Sequence, residues 1–429
     1  MFTNQSAELS LNAPCKSVTA VKADRLESRF LLGGCCIPDD SANRIHVVRY
    51  HSDVNVVGLD ASLHHPTGPI ERLVASPNDR TLVLTLAERS NAVTLYRLPN
   101  SVMENSNDLM MDSETTTSAT DYATSYSDSY RQDSSHHTYD SGSSSSGVLE
   151  SKVALESDAQ MLDMTWRANS MDLDDPPGML ASSTPGDVLT LDAAGNVQQW
   201  DLSMGMAESM HAISAGDNNT KTLPVGCIPR VVWDPHHGSQ LAVSWGRAVQ
   251  FLDLRTAIGI ADDFGKGMNM TRAHRYGVTD VDYNPNKPFT LATSGLDGVV
   301  QFWDTRNTRR PIMTARGGHS HYAWQVSYNP FHDQLLLSTG TDAIANLWRV
   351  SSISSAPLLT LEAENNPMPD DTMESSDAPN VRVARHEASE SIYAATWSAA
   401  DAWMYMTVAY DGRLALHHVP SKEKYKILL

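Results

Sequence analysis

Residues 274–307 read HRYGVTDVDYNPNKPFTLATSGLDGVVQFWDTRN, and residues 319–352 read HSHYAWQVSYNPFHDQLLLSTGTDAIANLWRVSS. Laid over one another, the two stretches agree in their order of events. Each has a histidine, an alternating apolar run, an Asn-Pro turn, a second apolar run, a tight turn bearing an aspartate, and a third run ending at a tryptophan. The turn aspartates Asp297 and Asp342 are about 45 residues apart, the length of four short antiparallel strands with their turns. A third copy follows from His386 through IYAATWSAAD, MYMTVAYDG and RLALHHVPS. Period-two alternation bounded by Pro, Asn, Asp and Gly marks strands joined by tight turns.

With the period known, fainter copies emerge upstream. CIPRVVWDP, QLAVSWGRA and VQFLDLR make one at 227–255, and MLDMTWR, DVLTLDAAGN and VQQWDL another at 161–202. IERLVASPND, TLVLTLAER and AVTLYRL give one at 70–98, and RFLLGGC with RIHVVRY one within 29–50. Four faint copies and three clear ones predict an all-β chain, a seven-bladed WD40 β-propeller spanning residues 1–429 as a single domain with disordered acidic inserts. A lone four-stranded sheet leaves both faces uncovered; packing the sheets radially buries the faces and leaves only short edges. Such a ring closes by completing its last blade. The apolar tail Tyr425–Leu429 is predicted to supply that blade's outermost strand.

The formal charge of −19 is unevenly spread. Residues 101–157 hold ten acids against Arg131 and Lys152, and 361–380 hold six acids and no base, so −14 of the −19 sits in these two stretches. Both are too polar to repay their ordering entropy and are read as a disordered Ser/Thr/Asp-rich insert and a disordered acidic loop. Ser125, three residues before Asp128, is an acidophilic phosphorylation candidate within the first. The remaining −5 is an ordinary surface balance, without the basic stripe that nucleic acid or an anionic membrane demands. Cys15, Cys35, Cys36 and Cys227 form no CxxC pair and read as reduced cytosolic thiols. The amino-terminal residues have no signal-peptide pattern, and no apolar run is long enough to insert in a membrane.

The strongest constellation is structural. In blades of this type the leading histidine, a hydroxyl of the second strand, the turn aspartate and the third-strand tryptophan join in a buried hydrogen-bonded chain. The candidates are His274, Thr293 or Ser294 (Ser294 preferred), Asp297 and Trp303, then His319, Ser338 or Thr339 (Thr339 preferred), Asp342 and Trp348. The last blade departs from this pattern, with His417-His418 where the Trp-Asp pair would stand, and the first two blades also lack the tryptophan. Catalytic readings find no anchor. G-x-S-x-G, P-loop and G-x-G-x-x-G patterns are absent, and the pairs His236-His237, His417-His418 and His319/His321 lack supporting ligands at metal spacing. No enzyme activity, metal or cofactor is expected. Binding is the expected work of such a ring, at its rims. Tyr322 and Trp324 flank the start of an inner strand and make rim anchors, with Arg230 and Asp280 as further partner-binding candidates among the channel-side set Arg72, Asp163, Arg230, Asp280 and Gln325.

The stretches DYNPNKPF with FWDTRN, HSHYAWQVSYNPFHDQLLLSTGTD, IYAATWSAADAW, YDGRLALHHVP and KYKILL resemble the EARP-interacting protein family of WD-repeat proteins. The resemblance is closest over about 274–350 and 386–429, and the two inserts fall where that family carries acidic linkers. It implies a non-enzymatic adaptor whose partners are subunits of the EARP and GARP tethering complexes, in endosomal recycling and endosome-to-Golgi retrograde transport. It also implies a cytoplasmic protein held peripherally at the trans-Golgi network and endosomes through its partners. The alternative is a WD40 subunit of another assembly, such as a ubiquitin-ligase substrate receptor or a chromatin-associated propeller.

Overall fold

The computed structural model describes residues 6–11, 13–35, 43–104, 148–167, 187–202, 208–214, 228–254, 270, 272–356 and 380–428. They form seven antiparallel sheets arranged as a β-propeller, and each sheet runs from an inner strand at the channel to an outer strand at the rim. Blade one is Cys15–Ala20, Arg29–Gly34, Arg44–His51 and Val56–His64, and blade two is Ile70–Ala75, Leu82–Ala87, Ala92–Arg97 and Glu150–Glu156. Blade three is Met161–Trp166, Asp187–Asp192, Asn196–Asp201 and Glu208–Ser214; blade four is Arg230–Trp233, Gln240–Trp245 and Ala248–Asp253, with Met270 bridging to Val249 where an outer strand would lie. Blade five is Val278–Tyr283, Thr290–Gly295, Val300–Asp304 and Met313–Ala315, and blade six is Ala323–Tyr328, Leu335–Gly340, Ile344–Val350 and Asn380–Glu387. Blade seven combines Ile392–Trp397, Met404–Ala409 and Arg413–His418 with the amino-terminal strand Ala7–Ser10.

Alternation along each strand sends one set of side chains to the preceding blade and the other to the following blade, so the core is divided among the interfaces. Seven apolar clusters result, one between each pair of neighbours. Cys15, Phe30 and Val48 of blade one meet Met406, Val408 and Leu416 of blade seven in the cluster that completes the circle. The inner strands are in contact all the way round, including blade seven against blade one.

The ring closes differently from the expectation. Tyr425–Leu428 add no strand; Ser421–Leu428 is a helix beginning just after Pro420, whose carbonyl accepts the N–H groups of Glu423 and Lys424, and Leu429 lies outside the described residues. Lys, Glu and Leu are good helix formers, and the buried Glu423 carboxylate pairs with the buried Arg349 guanidinium of blade six, which fixes the helix there. The outermost strand of blade seven comes from the other end of the chain, with Ala7 opposite Leu416 and Ser10 opposite Arg413.

The first insert also begins and ends inside its expected limits of 101–157. Asn100–Met103 form a short helix whose Met103 is buried, and Glu150–Glu156 pair with Ala92–Arg97 as the outer strand of blade two. That strand is polar because its outer edge and much of its surface face water. Residues 105–147, Ser125 among them, and 361–379 of the second insert lie outside the described residues, as do Cys36 and Cys227, whereas Asn380 opens the outer strand of blade six. Cys15 and Cys35 are buried.

Candidate functional site

In each blade the inner strand starts, and the turn between the second and third strands lies, at one end of the ring, here the upper end. Two buried networks shape that end. In blade five Trp303 Nε1 donates to Thr293 Oγ1 at 3.0 Å, leaving that hydroxyl to donate to His274 Nε2 at 2.8 Å, while His274 Nδ1 donates to Asp297 Oδ1 at 2.9 Å. Blade six repeats the chain with Trp348, Ser338, His319 and Asp342, at 2.9, 2.8 and 3.1 Å. Burial opposes ionisation of Asp297 and Asp342, yet the histidine contacts and the N–H groups of Arg275 and Ser320 outweigh it, so both carboxyls lie below their ordinary value.

The hydroxyls are therefore Thr293 and Ser338, not the preferred Ser294 and Thr339. Strand parity decides it. Trp303 stands opposite Leu291, two residues from Thr293 and so on the same face, whereas Ser294 points to the other face and bonds Thr279 Oγ1 at 2.9 Å. Trp348 stands opposite Leu336, which puts Ser338 on its face and leaves the Thr339 hydroxyl buried without a partner. Reduced forms occur where no network was expected. Buried His65 meets Thr85 Oγ1 at 2.9 Å in blade two, Trp200 Nε1 donates to Thr190 Oγ1 at 2.9 Å in blade three, and His417 meets Thr407 Oγ1 at 3.1 Å in blade seven.

The channel-side residues are engaged with one another. Arg72 Nε reaches Asp163 Oδ1 at 2.8 Å, and Arg230 bridges Asp163 at 3.5 Å and Asp280 at 3.6 Å, linking blades two to five. Inner strands are sheet edges with spare N–H groups, and these same side chains cap them. Asp163 accepts from Val231 N at 2.8 Å, Asp280 from Val326 N at 3.1 Å, and Gln325 Oε1 from Ala395 N at 2.7 Å. Arg230 and Asp280, partner-binding candidates from the sequence, are thus engaged in joining blades below the rim. His236 and His237 serve loop contacts, to Asn284 O at 3.0 Å and Asp234 Oδ2 at 2.9 Å.

Above that layer, six of the seven inner strands slip register by one residue after their first pair. The slip bulges out Lys16, Glu71, Leu162, Thr279, Trp324 and Tyr393. A bulge re-aims its side chain, and here bulged side chains of neighbouring blades meet at the channel mouth. Lys16 pairs with Glu71 at 3.2 Å, and Trp324 meets Tyr393 edge-to-face at 4.9 Å. Tyr410 extends the aromatic series, 5.7 Å from Tyr393, and the Tyr322 ring packs at a tilt against His321 at 3.9 Å. Tyr276, Tyr322 and Tyr410 are 56%, 39% and 36% exposed, so an aromatic surface lies open across the upper end of blades five to seven. Tyr322 and Trp324 were legible as anchors; Tyr276, Tyr393 and Tyr410 were not, although Tyr393 occupies the same blade position as Trp324.

A family profile described as EIPR1 beta-propeller matches residues 187–348, which run from blade three into blade six. The human protein named EARP and GARP complex-interacting protein 1 is 30% identical over 98% of this chain and 97% of its own length. The chain belongs to the EARP- and GARP-complex-interacting protein family. A Caenorhabditis elegans member, EARP-interacting protein 1, is 35% identical over 46% of this chain and 52% of its own length. The Arabidopsis thaliana protein named WD repeat-containing protein DWA2 is 23% identical over 95% of both chains. For this family member no helix among the described residues is long and apolar enough to cross a membrane.

Proposed function

We propose that this chain is a non-enzymatic adaptor that binds subunits of EARP- and GARP-type vesicle-tethering complexes through the upper end of blades five to seven. It serves endosomal recycling and endosome-to-Golgi retrograde transport, working from the cytoplasm and reaching endosomes and the trans-Golgi network through its partners. The observation that carries this reading is the exposed aromatic surface of Tyr276, Tyr322 and Tyr410, with half-buried Trp324 beside it, on a chain whose full-length relatives are named for binding those complexes. Tyrosines held on a rigid rim offer large contact area at small entropic cost, as interface anchors do. A scaffold role also accounts for the channel, whose carboxylates are committed to arginines and main-chain N–H groups of neighbouring blades.

The test is affinity capture of the tagged full-length chain with identification of the co-purifying subunits. Tether subunits are expected, and recovery of only proteasomal or chromatin components overturns the reading. The double variant Tyr322→Ala/Tyr410→Ala is expected to lower capture about tenfold without moving the melting midpoint. Undiminished capture moves the contact to another face.

A further inference from the structure

The aromatic surface has a basic neighbour. Arg247 sits in the upper turn of blade four, Arg272 and Arg275 lie in the segment leading into blade five, and Arg316 lies in the segment leading into blade six; all four are exposed. None forms an ion pair with a described residue. The acids of the adjoining upper turns of blades five and six, Asp297 and Asp342, are turned inward onto His274 and His319 and onto the N–H groups of Arg275 and Ser320. On a chain of net charge −19, this end of blades four to six presents positive charge with no accessible described acid between the arginines. Glu387, paired to Arg385 at 3.0 Å, and Glu390 mark its border at blade seven.

The segments are knit into one surface. Ala273 N donates to Arg247 O at 2.8 Å, and Arg247 Nε donates to His274 O at 3.5 Å, joining blade four to blade five. A Cβ at Gly298 would stand 2.7 Å from His321 O and 2.9 Å from His319 O, so the turn of blade five lies directly against the segment carrying Tyr322. Arg275 Cζ lies 5.1 Å over the Tyr276 ring, which holds a guanidinium beside an exposed aromatic.

We propose that the upper end of blades four to six docks an Asp/Glu-rich linear segment of a partner protein, with arginines engaging its carboxylates and tyrosines seating its apolar side chains. This rests on the reading of the same end of the ring as the partner-binding face. Guanidinium groups beside aromatic rings suit carboxylates spaced along an extended chain. The described ends of the chain's own acidic inserts lie away from this face, since both inserts depart after a third strand and return at the start of an outer strand, at the opposite end of the ring.

The experiment uses the purified full-length chain and a fluorescein-labelled synthetic peptide of about fifteen residues repeating Glu-Asp-Leu, followed by anisotropy. Binding is expected at low salt and should weaken about tenfold between roughly 50 and 300 mM NaCl. The triple variant Arg272→Glu/Arg275→Glu/Arg316→Glu should lose at least about tenfold in affinity, its Gln counterpart less, and Arg309→Glu/Arg310→Glu at the opposite end nothing. A triple variant that binds like the parent, or a parent that ignores the peptide, overturns the proposal. Arginine-dependent binding to phosphatidylserine vesicles in place of the peptide also overturns it and assigns the face to membrane. Tether capture separates this failure from that of the adaptor reading. If the parent captures the tether and the triple variant does so equally well, the acidic-segment proposal falls and the adaptor stands. If the parent captures none, the adaptor reading falls and the peptide arm still judges the face.

Discussion

The Asp163 carboxylate of blade three accepts the main-chain N–H of Val231 in blade four at 2.8 Å. Its other oxygen takes Arg72 of blade two at 2.8 Å, so one fully buried acid ties three blades at the channel. Asp163→Ala leaves the Arg72 guanidinium and an edge N–H without their acceptor and Arg230 with Asp280 alone, and should cost about 3 to 5 kcal/mol in denaturant unfolding. Asp163→Asn, which still accepts from Val231, should cost less, and equal losses for the two variants would put the effect elsewhere.

The two adjacent hydroxyls of blade six separate network from packing. Ser338→Ala removes the oxygen that takes Trp348 and meets His319, and should destabilise by about 1 to 3 kcal/mol. Thr339→Val replaces a buried hydroxyl that has no partner and should be neutral or slightly stabilising. Thermal melts of both variants measure the contrast, and a larger loss for Thr339→Val would reverse the face assignment.

A pH dependence follows from Asp282. Burial raises its carboxyl from 3.8 to about 7, with Asp280 adding to the rise and the Tyr328 N–H at 2.7 Å and Lys22 opposing it. Between those values the folded protein holds a proton that the unfolded chain has released, so this group's contribution to stability falls as pH rises through the window. Asp282→Asn keeps an acceptor for Tyr328 and carries no charge. Its melting midpoint relative to the parent should therefore climb from pH 5 to pH 8, and a constant difference would remove the assignment.

Deleting residues 6–11 uncovers the edge of Arg413–His418 and empties Ala7 and Leu11 from the cluster that seals blade seven to blade one. A clear drop in melting midpoint is expected, larger than that from deleting Tyr425–Leu429. The reverse order would return the closing role to the carboxy-terminal tail.

The three C-terminal blades were legible because Asp297, Asp342 and Asp411 each follow an apolar strand and precede another, a pattern that local turn chemistry imposes. What escaped was whatever depends on partners distant in sequence. Ala7–Ser10 is four residues of weak alternation and becomes a strand only against Leu416, whereas Tyr425–Leu428 is apolar yet satisfies itself as part of a helix. Glu150–Glu156 merges in composition with the insert it ends, because an outer strand needs few apolar residues. Thr293 and Ser294 are chemically alike, and only the face chosen by Trp303 tells them apart. Tyr393 matches Trp324 once the inner-strand bulges are aligned, a feature of register that composition does not reveal.

Closure by Ala7–Ser10 also sets a timetable for synthesis. The strand leaves the ribosome about 400 residues before Arg413–His418. At about 5 to 20 residues per second it waits roughly 20 to 80 seconds with an unpaired edge. Six blades can stack in order as they emerge, but the circle is sealed only after Arg413–His418 has emerged. During that interval the nascent chain is an open arc, and a factor that shields its leading edge would act before the ring is whole.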